Sequence, residues 1–183
     1  MKSMFRIAVP LFGLISMASL ASAGEAPKAA PAARDAANYA GTKTCGMCHR
    51  SEAVGNQLAL WQASPHAKAF EMLASPEAKA AGAKLGVADP QSSPKCLKCH
   101  ETAFGAPKGD LHRSFKSALG VQCETCHGPG ELHVRARMQA AGAAGEGAAA
   151  KYAVIPDDEI IKSPPATRCL DCHNDKSPGY KPF

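Results

Sequence analysis

The sequence has few of the residues that build an ordinary hydrophobic core. Of its 183 residues one is Trp, three are Tyr and six are Phe, so that aromatic residues make up 5% of the chain. Much of the 45% hydrophobic fraction is alanine, which buries little surface per residue. A chain of this kind needs another source of buried surface, such as disulfides or a large apolar cofactor.

Long apolar runs are also missing beyond the first residues. The opening segment, residues 1–23, has two basic residues, an apolar run over residues 7–20 and small residues before the expected cleavage point. This order predicts a secretory signal peptide, because the run is too short for a membrane anchor and is broken by Pro10. We therefore expect a protein of the periplasm or the extracellular space, with no transmembrane segment after cleavage.

Patterns typical of strands are scarce in the rest of the chain. Residues 24–40 are rich in Ala and Pro and predict a disordered leader. Helices are predicted over Gln57–Ala63 and His66–Ala74, and a third is expected to begin at Pro76, with Ser75 as its cap. A fourth starts at "ELHVRAR" and loses definition in the Ala/Gly tract that follows. The expected fold is mainly α: a single domain over residues 41–183, made of short helices and long loops.

The eight cysteines form four pairs with the spacing C-x-x-C, and a histidine directly follows each pair. The four units are Cys45, Cys48 and His49; Cys96, Cys99 and His100; Cys123, Cys126 and His127; and Cys169, Cys172 and His173. One C-x-x-C alone is shared by zinc sites and redox dithiols. Four complete C-x-x-C-H units that use every cysteine are far more specific.

This order of residues matches the chemistry of covalent haem attachment. Two thiols add to the two vinyl groups of haem, and the next histidine offers a ring nitrogen to the iron. Zinc sites use cysteines at comparable spacing but do not require a histidine after every second cysteine, and neither does a disulfide framework. We therefore expect four covalently bound haem c groups, with the domain packed around them.

Three histidines remain after the four proximal ones are subtracted (7 − 4 = 3): His66, His112 and His133. Neutral imidazole is a common sixth ligand of haem iron, so all three are candidate distal ligands. A Gly-Pro-Gly turn separates His133 from His127, and we expect His133 to serve a different iron from His127. Three histidines cannot serve four irons, which leaves one iron open or bound by methionine, lysine, an amine or water.

Charge is a weaker indicator. The formal charge of +5 includes Lys2 and Arg6 of the signal, which leaves 5 − 2 = +3 after cleavage. This small excess does not indicate a nucleic-acid partner. Arg113, Arg135 and Arg137 either lie on a solvated face or pair with haem propionates or a protein partner.

The ordered set of motifs resembles the tetrahaem cytochrome c-554 family, which accepts electrons from hydroxylamine oxidoreductase in ammonia-oxidising bacteria. "CGMCHRSEAVGNQLALWQASPHAKAF" is similar to the family's first haem site and the Trp-x-x-[Ser/Thr]-x-His-Ala-Lys-Ala element behind it, with His66 in the ligand position. "GVQCETCHGPG" is similar to the third site, and His133 matches a distal histidine beyond the turn. "KCLKCHETAFG" and "RCLDCHNDKSPGY" fit the second and fourth sites.

The resemblance covers most of residues 43–183. It implies stacked haem pairs in a mostly helical fold, three irons with two histidine ligands and one open iron at the second site. The family's C-terminal extension, which supplies one distal histidine, has no counterpart in these residues. His112 has no family counterpart, so it either replaces that ligand or closes the second iron.

Three functions fit these features. An electron carrier between donor and acceptor redox proteins needs nothing more than the haems and is favoured. A haem oxidoreductase that reduces a small nitrogen or sulfur species needs an open iron, which the histidine count permits. A subunit of a conductive polymer needs one distal histidine to act on a neighbouring copy. The sequence leaves the partners and the oligomeric state open.

Overall fold

Short helices joined by loops make up most of the described chain. The computed structural model describes residues 38–143, 155–178 and 180. Its α-helices are α1 Thr42–Cys45, α2 Gln57–Gln62, α3 Ala69–Met72, α4 Pro76–Lys84, α5 Pro94–His100, α6 Cys123–His127 and α7 Glu131–Ala143. Single turns of 3-10 helix lie at Glu52–Val54, Pro65–Lys68, Lys108–Asp110 and Ser117–Leu119, and a longer one lies at Ala166–Asp171. The bridge between Tyr39 and Leu111 is the one β-type pairing recorded for these residues, and the expected mainly α fold is confirmed.

Two helix predictions agree closely with the structure. Helix α2 begins at Gln57 as expected and ends one residue early, at Gln62. Helix α4 begins at Pro76, and the Ser75 hydroxyl accepts a hydrogen bond from the backbone N–H of Ala78 at 3.1 Å. This is the predicted cap, with proline in the first turn, where its missing N–H costs nothing.

The helix predicted over His66–Ala74 is wrong in its first half. Residues Pro65–Lys68 form a 3-10 turn and α3 covers Ala69–Met72 alone. The reason is a contact from a distant segment: the backbone N–H of Val121 donates to the carbonyl of His66 at 3.0 Å. That carbonyl would otherwise accept the regular α-helical bond from Phe70.

Helix α7 starts at Glu131, after the Gly128–Gly130 turn that ends α6. The predicted break between the helices of His127 and His133 is therefore present. The Ala/Gly tract at residues 144–154, where the helix was expected to fade, lies outside the described residues.

The packed domain starts before residue 41, where the boundary was predicted. Ala40 is fully buried, and the N–H of Tyr39 donates to the carbonyl of Asp110 at 2.7 Å. The carbonyl of Asn38 accepts from Glu131 N–H at 3.2 Å. The last three residues of the predicted leader therefore belong to the domain. The signal peptide and the rest of the leader lie outside the described residues and stay predictions.

The protein core is thin. Among the described residues, the buried apolar side chains are Ala40, Ala69, Leu73, Val87, Leu97, Phe115 and Val121. A larger set of bulky apolar side chains is exposed: Met47, Leu60, Met72, Leu85, Phe104, Leu119, Leu132, Met138 and Leu170. In the described part of the chain, none of the helices has the length and apolarity needed to cross a bilayer.

Candidate haem-attachment sites

Each C-x-x-C-H unit is wound into one helical turn. The second unit forms the end of α5, and the third unit forms the whole of α6. In the first and fourth units the backbone closes the same turn, because His49 N–H donates to the Cys45 carbonyl at 3.0 Å and His173 N–H to the Cys169 carbonyl at 2.8 Å. Residues three and four positions apart share one face of such a turn, so both thiols and the imidazole of a unit lie on the same side.

The proximal imidazoles of the second and third units are oriented by backbone carbonyls. Nδ1 of His100 lies 2.7 Å from the carbonyl oxygen of Ala69, and Nδ1 of His127 lies 2.7 Å from that of Ile161. A carbonyl oxygen only accepts, so each Nδ1 carries the proton. The lone pair of Nε2 is left free to bind a metal, the arrangement usual for metal-ligating histidines.

Two of the expected proximal histidines each lie next to a candidate distal histidine from far along the chain. The ring centroids of His49 and His133 are 6.3 Å apart, with the rings tilted by 34°. Those of His66 and His173 are 6.1 Å apart, with the rings at 70°. Two metal–imidazole bonds of about 2 Å each, with the distance from each nitrogen to its ring centre added, come to about 6 Å. Each pair is thus spaced to hold one metal ion between its rings.

The His66 imidazole is biased toward its neutral form. Partial burial, and secondarily the nearby His173, lower its pKa below the ordinary value of 6.5. A charged imidazolium cannot bind a metal, so a lowered pKa favours the ligand form.

Cysteines of different units lie against each other. The Cys45 thiol donates to the sulfur of Cys123, which lowers the pKa of the Cys123 thiol to about 6 and raises that of Cys45. Burial, with Cys99 close by, raises the pKa of the Cys172 thiol to about 12. Thioether formation would consume all of these thiols. The contacts place the first unit beside the third and the second beside the fourth.

A buried carboxylate joins the first and third units. Glu124, inside the third motif, accepts backbone N–H bonds from Ala40 at 2.7 Å, Gly41 at 2.9 Å and Gly130 at 2.7 Å. Burial raises its pKa, while the three N–H donors act in the opposite direction. Glu124 therefore holds the chain before α1 and the turn after α6 on one side chain.

Two more buried polar residues continue this connection. The amide oxygen of Gln122 accepts from Thr42 N–H at 3.1 Å. The hydroxyl of Thr102, just beyond the second unit, accepts from Gln122 N–H at 2.6 Å and donates to the Gly120 carbonyl at 3.1 Å. Sequence reasoning missed all of these residues, because polar side chains are usually exposed and no spacing pattern marks them.

The residues present fit haem. The donor set is two thiols and an imidazole at each unit, and exposed bulky apolar side chains surround a thin core. Nε of Arg137 is buried and has no hydrogen-bond partner among the described residues. A buried donor without an acceptor is unusual. The propionates of haem are hydrogen-bond acceptors, and their negative charge is opposite to that of the guanidinium.

Comparisons with known proteins agree with this chemistry. The family model described as "Cytochrome c554 and c-prime" matches residues 44–128. Cytochrome c-554 of Nitrosomonas europaea is 34% identical over 175 residues, which cover 91% of this chain. The chain is therefore similar to the cytochrome c-554 family over most of its length. This similarity supports a c-type cytochrome with covalently bound haem. The chain spans 65% of the length of the Nitrosomonas protein. No solved structure matches the chain.

Of the three candidate distal histidines, the structure places two next to expected proximal ones. His66 meets His173 and His133 meets His49. His112 is exposed, and its Nδ1 lies 2.6 Å from the Ser114 hydroxyl and accepts from Ser114 N–H at 3.2 Å. Among the described residues, no ring contact joins His112 to another histidine. Its role as a ligand stays a prediction, like the other ligand assignments.

Proposed function

We propose that this cytochrome carries four covalently attached haems and transfers electrons between a donor and an acceptor redox protein outside the cytoplasm. His49 and His133 would bind the iron of the first haem, and His173 and His66 would bind that of the fourth. Bound haem supplies an iron that gains and loses one electron. The chain's own residues attach it, orient the imidazoles and exclude water.

The observation that carries this proposal is the spacing of the two histidine pairs, 6.3 and 6.1 Å between ring centroids. An iron held between two imidazoles has no free position for a substrate, which supports a transfer role for these two sites. The contacts between cysteines of different units keep neighbouring sites side by side, as a carrier with several centres requires.

Histidine ligands also favour a low reduction potential, because histidine–methionine ligation raises the potential. Met47 lies inside a haem motif, and Met72 and Met138 lie exposed on α3 and α7. We expect a redox titration to place the potentials below the range of histidine–methionine cytochromes. All four haems in that higher range would contradict the proposed ligation.

The haem count is tested by the intact mass of protein matured in a host that attaches haem c. We expect four haems in the parent protein. Replacing both Cys169 and Cys172 by alanine should remove the mass of one haem and leave three. Four unmodified C-x-x-C-H units that retain zinc would overturn the proposal.

A second candidate function is reduction of a small nitrogen or sulfur species at an iron with a free position. The observation that favours it is that His100 and His127 have no second imidazole in ring contact within the described part of the chain. Ligand uptake by these two sites distinguishes this function from transfer alone.

A further inference from the structure

Glu159 contacts the imidazole of His133, the ring that also lies next to His49. Its Oε2 is 3.2 Å from Nδ1 of His133. The two side chains are largely buried, 9% exposed for Glu159 and 13% for His133. An ionised carboxylate only accepts hydrogen bonds, so Nδ1 of His133 carries the proton and Nε2 keeps the lone pair that can bind a metal.

Arg137 fixes the carboxylate from the other side. It follows His133 by one turn of α7, and its Nη2 donates to Oε1 of Glu159, with the arginine side chain 19% exposed. A guanidinium this close restricts the rotamers of the carboxylate through a charge-assisted hydrogen bond. The imidazole, the carboxylate and the guanidinium are therefore joined by hydrogen bonds into one largely buried network.

The segment that carries Glu159 also contacts His127, the proposed proximal ligand of the third site, but through a backbone carbonyl. Ile161, two residues after Glu159, accepts the Nδ1 proton of His127 with its backbone carbonyl at 2.7 Å. The Nδ1 of His100 likewise meets a neutral carbonyl. His133 instead contacts a carboxylate, so its Nδ1 partner differs in charge from those of His100 and His127.

We propose that Glu159 is a positioning residue that fixes the ring of His133 and strengthens it as a donor, which lowers the reduction potential of the first iron. An imidazole whose Nδ1–H donates a hydrogen bond to a carboxylate becomes a more basic ligand, and a more basic ligand stabilises the ferric state over the ferrous state. Arg137 limits this effect by balancing part of the carboxylate charge. The inference rests on the proposed ligation of the first iron by His49 and His133.

The test is an EPR-monitored redox titration of the holoprotein. H133A identifies the low-spin ferric signal of the first iron as the one that it removes. E159Q keeps the shape but loses the charge, and should shift the reduction equilibrium of that iron by three- to tenfold toward the ferrous state, tenfold being about 59 mV for one electron. The g-values of that signal should change as well.

Two further variants separate this role from general effects. R137Q should shift the same equilibrium toward the ferric state, opposite to E159Q, because the carboxylate charge is no longer balanced. D158N removes a charge at the exposed neighbouring residue and should leave both the g-values and the potential of the first iron close to the parent values.

Equal shifts in E159Q and D158N would overturn the inference, since the effect would then be long-range charge alone. Equal changes of the g-values in E159Q and R137Q without any shift of potential would also overturn it, because the residues would then serve packing only. Failure of the proposed ligation itself would appear elsewhere: H133A would leave every low-spin signal of the parent protein in place.

Discussion

Gly120 lies against the backbone of His66. A Cβ atom at Gly120 would lie 2.8 Å from the His66 carbonyl oxygen and 3.1 Å from the backbone nitrogens of Ala69 and Phe70. The residue also has φ +73°, which side chains with a Cβ rarely adopt. Glycine at this position therefore allows the chain before the third motif to hold the turn that carries a proposed distal ligand.

The Gly120→Ala variant should lower the free energy of unfolding by at least about 1–3 kcal/mol from backbone strain, with the clash against His66 in addition. Denaturation of the holoprotein measures this. Gly105→Ala is the matched control, because Gly105 has φ +80° but no atom within 4 Å of its Cβ position. Equal losses in the two variants would show that the close approach to His66 contributes nothing.

Replacing the distal histidines one at a time should give two different results. His66→Ala and His133→Ala should each convert one low-spin ferric haem to the high-spin state, because each removes one ring of a pair spaced for one iron. His112→Ala should leave the spin states unchanged, since its ring is exposed and its Nδ1 contacts Ser114. Conversion of a haem in the His112 variant would identify it as a ligand.

Acid should release His66, the proposed ligand of the fourth iron, only at a pH below the ordinary pKa of histidine. Its pKa is lowered from 6.5 by burial and by His173, so the folded protein holds the neutral imidazole below pH 6.5, and iron binding favours that form further. The stability that this group contributes is present above pH 6.5 and is lost as the pH falls through the lowered pKa. An optical pH titration should show the fourth haem low-spin at pH 6.5. Conversion to high-spin above that pH would contradict the assignment.

Small ligands should bind to at least one iron and to no more than two. The 183 residues contain three histidines besides the proximal four, and two of the three already face His49 and His173. Titration of the reduced monomer with carbon monoxide or nitric oxide measures the uptake, and EPR of the ferric protein shows the high-spin share. Four low-spin haems without any uptake would remove the reductase candidate and leave electron transfer as the whole function.

The proposed attachment units stand out in the sequence because covalent chemistry is local: two thiols and an imidazole must lie within one turn. The cap of α4 was predictable for the same reason, since Ser75 and Pro76 act on their own helix. The pairing of His133 with His49 was not, because the contact depends on how distant segments pack. The 3-10 turn at His66 likewise depends on an N–H from Val121, which no local pattern reveals.

The burial of Glu124 shows another limit of the sequence. A glutamate within a haem motif is expected to face solvent, yet this one accepts three backbone N–H bonds from two separate segments. Those donors come from loops whose approach is set by the whole fold. Its role follows only from the three-dimensional contacts.

Because few apolar side chains are buried in the described residues, the chain should depend on haem to stay folded and to escape degradation. A chain of this size with so thin a core has little free energy to keep it folded before attachment. Anything that binds the folded chain alone adds directly to its stability, and each covalent porphyrin does so irreversibly. Cells short of iron or of haem lyase should therefore degrade this chain rather than store it, so that its abundance follows haem synthesis more closely than messenger level.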